Sequence, residues 1–284
     1  NRVNEAWNLR EKAIALAGSG KVDEAVEVFK QALALDPSLD LAPVVEARRL
    51  NAPRIKKEGD RLAQAGQLDE AAAMYARALE DGLESGLDPT SEAKLVRASA
   101  LVDEARDIAR GGELVQAQET FQQALALNPL LRLDPAAEAR KFFSKHRLEQ
   151  GEEFYRQGQL AESVSAYREA VELDPDTRIS AFILNDICWN GVKQDLAGEV
   201  LWACNQAVAR EPENGSFHDS RGVGRALTGD IAGAIEDFEA FIDLGSEYDR
   251  SAEAIAVRRR WIAGLRTGQR PSTFAGLPAL GNSR

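Results

Sequence analysis

A small residue, an aromatic four positions on and an alanine three after that recur along this chain against a polar background. Ala25, Phe29 and Ala32 form one set, Ala71, Tyr75 and Ala78 the next, then Ala117, Phe121 and Ala124. Ser163, Tyr167 and Ala170 follow, then Val200, Cys204 and Ala207, then Ala234, Phe238 and Phe241. Steps of three and four put each set on one face of a helix. Gly20, Gly66, Gly112, Gly158 and Gly229 stand shortly before five of the sets, where a sharp turn from a preceding helix is expected. The fifth set has Asp195 there instead. The pattern predicts helix pairs in which small residues let two antiparallel helices approach and an aromatic fills the gap. Each pair leaves an apolar face that only the next pair covers, so the pairs stack.

These residues resemble the tetratricopeptide repeat, over roughly residues 6–246. On the first helix of a pair (helix A) the matching residues are Gly59 with Leu62, Ala105 with Ile108, Gly151 with Phe154, and Gly222. Pro37, Pro129, Pro175 and Pro212 close repeats. The resemblance implies an all-α, right-handed superhelical solenoid of about six helix pairs. A helix from about Tyr248 to Arg266 would cap it, with Tyr248, Ala252, Ile255, Ile262 and Leu265 on one stripe.

The intervals between the small residues that open each set are 46, 46, 46, 37 and 34 residues. The family's period is about 34. The additional segment repeats as well. It begins at Pro43, Pro89 and Pro135 and continues as Glu46-Ala47-Arg48, Glu92-Ala93-Lys94 and Glu138-Ala139-Arg140. Asp88 and Asp134 suit N-caps, and proline suits the first helical position. The insert reads as an elongated helix A in repeats two to four, longer by about 3.3 turns or roughly 18 Å. A separate short helix is the alternative. Pro53 is expected to kink or split the first copy.

Composition narrows the function. Net charge is −11, and residues 151–250 carry 8 Lys+Arg against 20 Asp+Glu, whereas 251–284 carry 6 against 1. An acidic body argues against a nucleic-acid partner. Arg258, Arg259 and Arg260 read as part of a last helix lying against an acidic neighbour. No apolar run approaches the roughly 20 residues of a membrane span. Cys188 and Cys204 are the only cysteines, too few for a disulfide framework or a zinc site, so a reducing, cytoplasmic setting is expected. The chain starts with Asn1 and not Met, which reads as part of a longer or processed protein.

Candidate chemistry is sparse. Cys188 with His146 or His218 would be the only nucleophile pair, but Cys188 falls at the small helix A position and Cys204 at the aromatic one, so both read as packing residues. RGVGRALTG from Arg221 lacks the strand and third glycine of a dinucleotide loop. The two-carboxylate clamp with which some family members hold acidic chaperone tails is not matched: Lys56 is followed by Asp60, and later repeats offer Val102 with Arg106 and Leu148 with Glu152. No catalytic residue, metal site or cofactor is expected. The family's groove positions, carried over, give Arg106, Arg110, Tyr155, Arg156, Phe182, Asn185, Trp189, Lys193 and Asp219 as partner-binding residues. Phe182 and Trp189 have a second reading, as filler for the wedge of an irregular fifth repeat.

The 46-residue copies, LNDICWNG and RRRWIAGLRTGQRPSTF together resemble the C-terminal segment of certain bacterial multidomain proteins. There such arrays follow caspase-like proteases, STAND-type NTPase modules or WD-type propellers. The expectation is one continuous solenoid, with a section of 46-residue repeats over 1–146, a near-standard section over 147–267 and a loose tail over 268–284. It would be a non-enzymatic protein–protein interaction module in the cytoplasm. It would bind a peptide or partner domain in the concave groove that helix A lines, and regulate an effector such as a protease or NTPase, in defence or signalling. No nucleic acid and no membrane enter this reading. The alternative is a structural spacer or homo-oligomerisation arm.

Overall fold

The computed structural model describes residues 2–84, 86, 88–244 and 252–271. Among them are thirteen helices and no strand. The chain forms two compact units that divide between Phe143 and Ser144. The first contains α1 (Arg2–Gly18), α2 (Val22–Leu35), α3 (Pro43–Gln64), α4 (Leu68–Glu80), α5 (Pro89–Arg110) and α6 (Leu114–Leu127). The division falls inside α7 (Pro135–Arg156). The second unit continues with α8 (Leu160–Leu173), α9 (Ala181–Lys193), α10 (Ala197–Arg210), α11 (Gly215–Thr228), α12 (Ile231–Leu244) and α13 (Ala252–Arg266).

In the first unit α1–α2, α3–α4 and α5–α6 are hairpins, and α3 packs on α1 and α5 as in an α-solenoid. The rings of Phe29, Tyr75 and Phe121 are fully buried between the helices of their own hairpins. The fit leaves no spare room: a Cβ added at Gly59 would lie 2.7 Å from the Tyr75 ring. The tight turns use left-handed glycines, for example Gly66 at φ 82°.

The insert is a continuation of helix A and not a separate helix: α3, α5 and α7 are each 22 residues long. Its alanines, Ala47, Ala93 and Ala139, are fully buried at the same 46-residue step that separates the repeats. Asp88 caps α5 by accepting from the Thr90 and Ser91 amides, and Asp134 caps α7 from Ala136 and Ala137. Pro53 does not split α3, which runs unbroken from Pro43 to Gln64. Ala52 and Ile55, buried on either side of the proline, hold the helix where one lost backbone bond would otherwise end it.

In the second unit the C-terminal half of α7 packs on α8, where Ser163 Oγ donates to the Gly151 carbonyl at 2.8 Å. The α9–α10 and α11–α12 hairpins follow, and α13 packs against α12. The buried stripe of α13 is Ala254, Val257, Arg258, Trp261, Ile262 and Leu265. This corrects the expected stripe: Ala252 is exposed and Ile255 only half-buried. The register shifts because Trp261 packs edge-on against Phe238 and draws its own turn inward. Tyr248 and the tail from Ser272 lie outside the described residues.

The cysteine reading is also corrected. Cys188 and Cys204 form a disulfide, with a Cα–Cα distance of 5.0 Å. They do occupy packing positions, but those positions face each other across one hairpin, closely enough for a bond. The ground for expecting a reducing compartment is thereby removed.

Candidate functional site

The α9 helix divides its residues between two faces. Leu184, Ile187, Cys188, Gly191 and Val192 are buried toward its neighbours. The other face presents Phe182, Asn185, Asp186, Trp189, Asn190 and Lys193, spaced three and four apart. Phe182 is 46 % exposed, an unusual state for a phenylalanine, and its ring packs edge-on against Phe217 of α11 with centroids 5.4 Å apart. About two turns on stands the half-buried Trp189, and the Lys193 ammonium lies 5.5 Å from the centre of its ring.

Asn190 Nδ2 joins this face to α7 by donating to the Tyr155 hydroxyl at 3.0 Å. Burial pushes the Tyr155 hydroxyl above its ordinary range, the charge of Asp186 adds to this, and the Asn190 bond opposes it. Asp186 is exposed, yet partial desolvation raises its carboxyl above the usual range against the pull of Lys193. The result is an apolar strip edged by one carboxylate, one ammonium and amides. Such a mixture suits a peptide, whose side chains need apolar contact and whose backbone needs donors and acceptors.

The other expected residues are placed differently. Arg106 and Arg110 of the first unit both stack over Phe142, at 5.6 and 5.0 Å, and donate to Asp103 and Asp107 within their own helix. Arg156 is exposed and pairs with Glu153. Asp219 is buried and held by Arg258 of α13 through two bonds of 2.8 and 2.5 Å, so its carboxylate is turned into the unit.

Two features were missed. Asp186 lies one helical turn from both Phe182 and Trp189, and Asn190 one turn beyond Asp186, a spacing the sequence already contained. The second is a buried charge centre at Asp237 of α12. Its carboxylate receives Arg221 at 2.9 and 2.6 Å, Arg225 at 3.0 Å and the His218 ring at 2.9 Å. Desolvation alone would raise this carboxyl, but the bonds from His218 and Arg221 and the charges of both arginines hold it below the usual range. His218, Arg221 and Arg225 share one face of α11, so the fixed geometry reads as a brace between α11 and α12. His218 is thus engaged with Asp237 and the Pro212 carbonyl, and both cysteines with each other, which dissolves the nucleophile pair considered above. No group of three His, Cys, Asp or Glu among the described residues could hold a metal ion, and no described helix is long and apolar enough to cross a membrane.

Comparison with known proteins agrees with the repeat pattern. The chain is 36 % identical over 78 residues to tetratricopeptide repeat protein 36 of Homo sapiens; the match takes in 26 % of this chain and 41 % of that protein. Among solved structures, the tetratricopeptide domain of P58(IPK) aligns over 95 % of this chain and all of its own, at 16 % identity and a TM-score of 0.31. The TPR2AB domain of yeast Sti1, solved as a pHSP90 complex, aligns over 93 % and 98 % at 17 % identity and a TM-score of 0.34. Family models for the tetratricopeptide repeat match residues 11–39 and 148–202, and the second match spans Tyr155, Phe182, Trp189 and Lys193.

Proposed function

We propose that this chain is a non-enzymatic protein–protein interaction module that captures a peptide segment on the solvent-reaching face of α9, beside Tyr155 of α7. The observation that carries the reading is Phe182 exposed beside a half-buried Trp189 under Lys193, on a helix whose opposite face is fully committed to packing. Repeats of this kind generally serve in protein–protein interaction. An apolar anchor residue of the peptide packs against Phe182 and Trp189, and Asn185 and Lys193 meet its backbone or an acidic neighbour.

The finer reading is that the bound partner regulates an effector, a protease or NTPase in the same polypeptide or a neighbouring subunit, in bacterial defence. It rests on the resemblance of the 46-residue copies and the C-terminal segments, and sequencing the full-length gene tests it. A cytoplasmic setting belongs to that reading, and the Cys188–Cys204 disulfide weighs against it.

The test is a selection of displayed random peptides on the chain, followed by titration against Trp189→Ala and Lys193→Ala. Loss of affinity of about tenfold or more in Trp189→Ala is expected for a residue at the centre of a hot spot. Peptides that bind both variants as they bind the parent place the site elsewhere. Light scattering decides the alternative: a monomer at all concentrations removes the oligomerisation arm.

A further inference from the structure

Five hairpins share one contact. A small residue on the first helix meets an aromatic ring 16 residues later on the second, or shares its core cluster: Ala13 and Phe29, Gly59 and Tyr75, Ala105 and Phe121, Gly151 and Tyr167, Gly222 and Phe238. The rings are 0 or 1 % exposed, and added Cβ atoms at Gly151 and Gly222 would stand 3.1 and 2.8 Å from them. In the α9–α10 hairpin these same two positions, again 16 apart, are Cys188 and Cys204. A covalent bond stands where the other hairpins have a packed ring.

The neighbouring contact is altered to match. At the equivalent positions, nine residues apart, other hairpins carry a large residue on the first helix and a small one on the second: Leu62 and Ala71, Ile108 and Ala117, Phe154 and Ser163. Here the sizes are reversed, Gly191 against Val200, and a Cβ at Gly191 would fall 2.3 Å from Val200 Cγ1. The turn differs too, with Asp195 in the left-handed region at φ 60° where the others have glycine. Two thiols do not fill the volume of an aromatic ring. Without its bond this hairpin has neither the wedge nor the relaxed turn of its neighbours.

We propose that Cys188–Cys204 is a redox-controlled lock on the α9–α10 hairpin. Both sulfur-bearing residues are buried, at 0 and 1 % exposure, so a reductant reaches them only when the hairpin opens. A dithiol reductant then works by exchange. Its thiolate attacks one cysteine sulfur, forming a mixed disulfide and expelling the other cysteine as a thiolate that takes a proton from water. The reductant's second thiol displaces the first cysteine and becomes its own disulfide, two electrons having passed to the protein. The lock rests on hairpin geometry alone. Its consequence, that reduction weakens the peptide site, rests on the reading of α9 given above.

Maleimide labelling and hydrogen exchange of the full chain test it. Unfolded without reductant, the protein takes up no maleimide; after dithiothreitol it takes up two. In the folded, reduced protein the amides of residues 181–210 exchange roughly 100-fold faster, the constraint a disulfide places on a loop of this length. The amides of α5 and α6 serve as the unchanged reference. Cys188→Ala/Cys204→Ala exchanges like the reduced protein and ignores dithiothreitol. Two adducts before reduction, equal exchange in both states, or a double variant as protected as the oxidised protein overturns the lock. Faster exchange with undiminished peptide capture leaves the lock and overturns the reading of α9 as the site.

Discussion

Replacing Asp237 by Asn keeps the shape of the side chain and removes its charge. The parent carboxylate is 1 % exposed and holds Arg221 by two bonds and Arg225 and His218 by one each. Charge-assisted bonds are worth about 1.5–3 kcal/mol apiece, but a plain sum overshoots. The side chains of Arg221 and Arg225 keep 15 and 22 % of their surface in solvent, so both partly rehydrate when their partner goes. The amide also turns one donor toward donors. The net cost is about 3–5 kcal/mol, as for breaking a buried pair on one side. Hydrogen exchange of the α11 and α12 amides reads this locally and needs no two-state assumption for the whole chain. Acid supplies the second half of the test. A carboxyl lowered in the folded state adds stability above its unfolded value, about 3.9, and loses it as pH falls through the folded value. The gap between parent and variant is therefore full at neutral pH and narrows toward pH 3. A gap under about 1 kcal/mol at neutrality, or one that acid leaves unchanged, refutes the brace.

Two further substitutions probe the packing. Gly222→Ala forces a methyl to 2.8 Å from the Phe238 ring, which Trp261 pins from the side, so overpacking outweighs the gain in helix propensity by about 1–2 kcal/mol. Gly198→Ala meets nothing within 4 Å and raises the urea midpoint slightly. Burial pushes the Tyr167 hydroxyl up to about 12, helped by the charge of Glu152 and by Tyr155. Folding then contributes stability that is whole below pH 10 and falls away by about 2 kcal/mol as pH rises through 12. Urea melts of Tyr167→Phe across that range show a smaller alkaline loss.

The helices were legible because their cause is local. Steps of three and four, turn glycines and the Asp88 and Asp134 caps act within a few residues, and the 46-residue step made the elongated helices readable by comparison of copies. The split that Pro53 could cause does not occur, because buried Ala52 and Ile55 hold α3 on both sides of it. The disulfide was hidden for a different reason. Both cysteines were assigned their packing positions, but the size reversal at Gly191 and Val200, visible in the same alignment, was not connected to them. Asp219 and Asp237 were beyond local reading. Each answers an arginine on another helix or turn of the array, and nothing in their own neighbourhood distinguishes a buried carboxylate from a solvated one.

The 46-residue step in the first unit has a consequence for how such a chain changes over generations. Ala47, Ala93 and Ala139 are interchangeable occupants of one buried position, as are Phe29, Tyr75 and Phe121 of another. Twelve extra residues are about 3.3 turns, and the buried Ala47, Ala93 and Ala139 give each added stretch a packing face of its own. An exchange within this segment that keeps every buried position matched therefore moves a whole 46-residue block. Joining the strand of coding sequence before Gly59 to that beginning at Ala105 would fuse the front of α3 to the back of α5 in register, with every neighbour already fitted. A change in the length of this part of the protein by 46 residues keeps its buried positions in register.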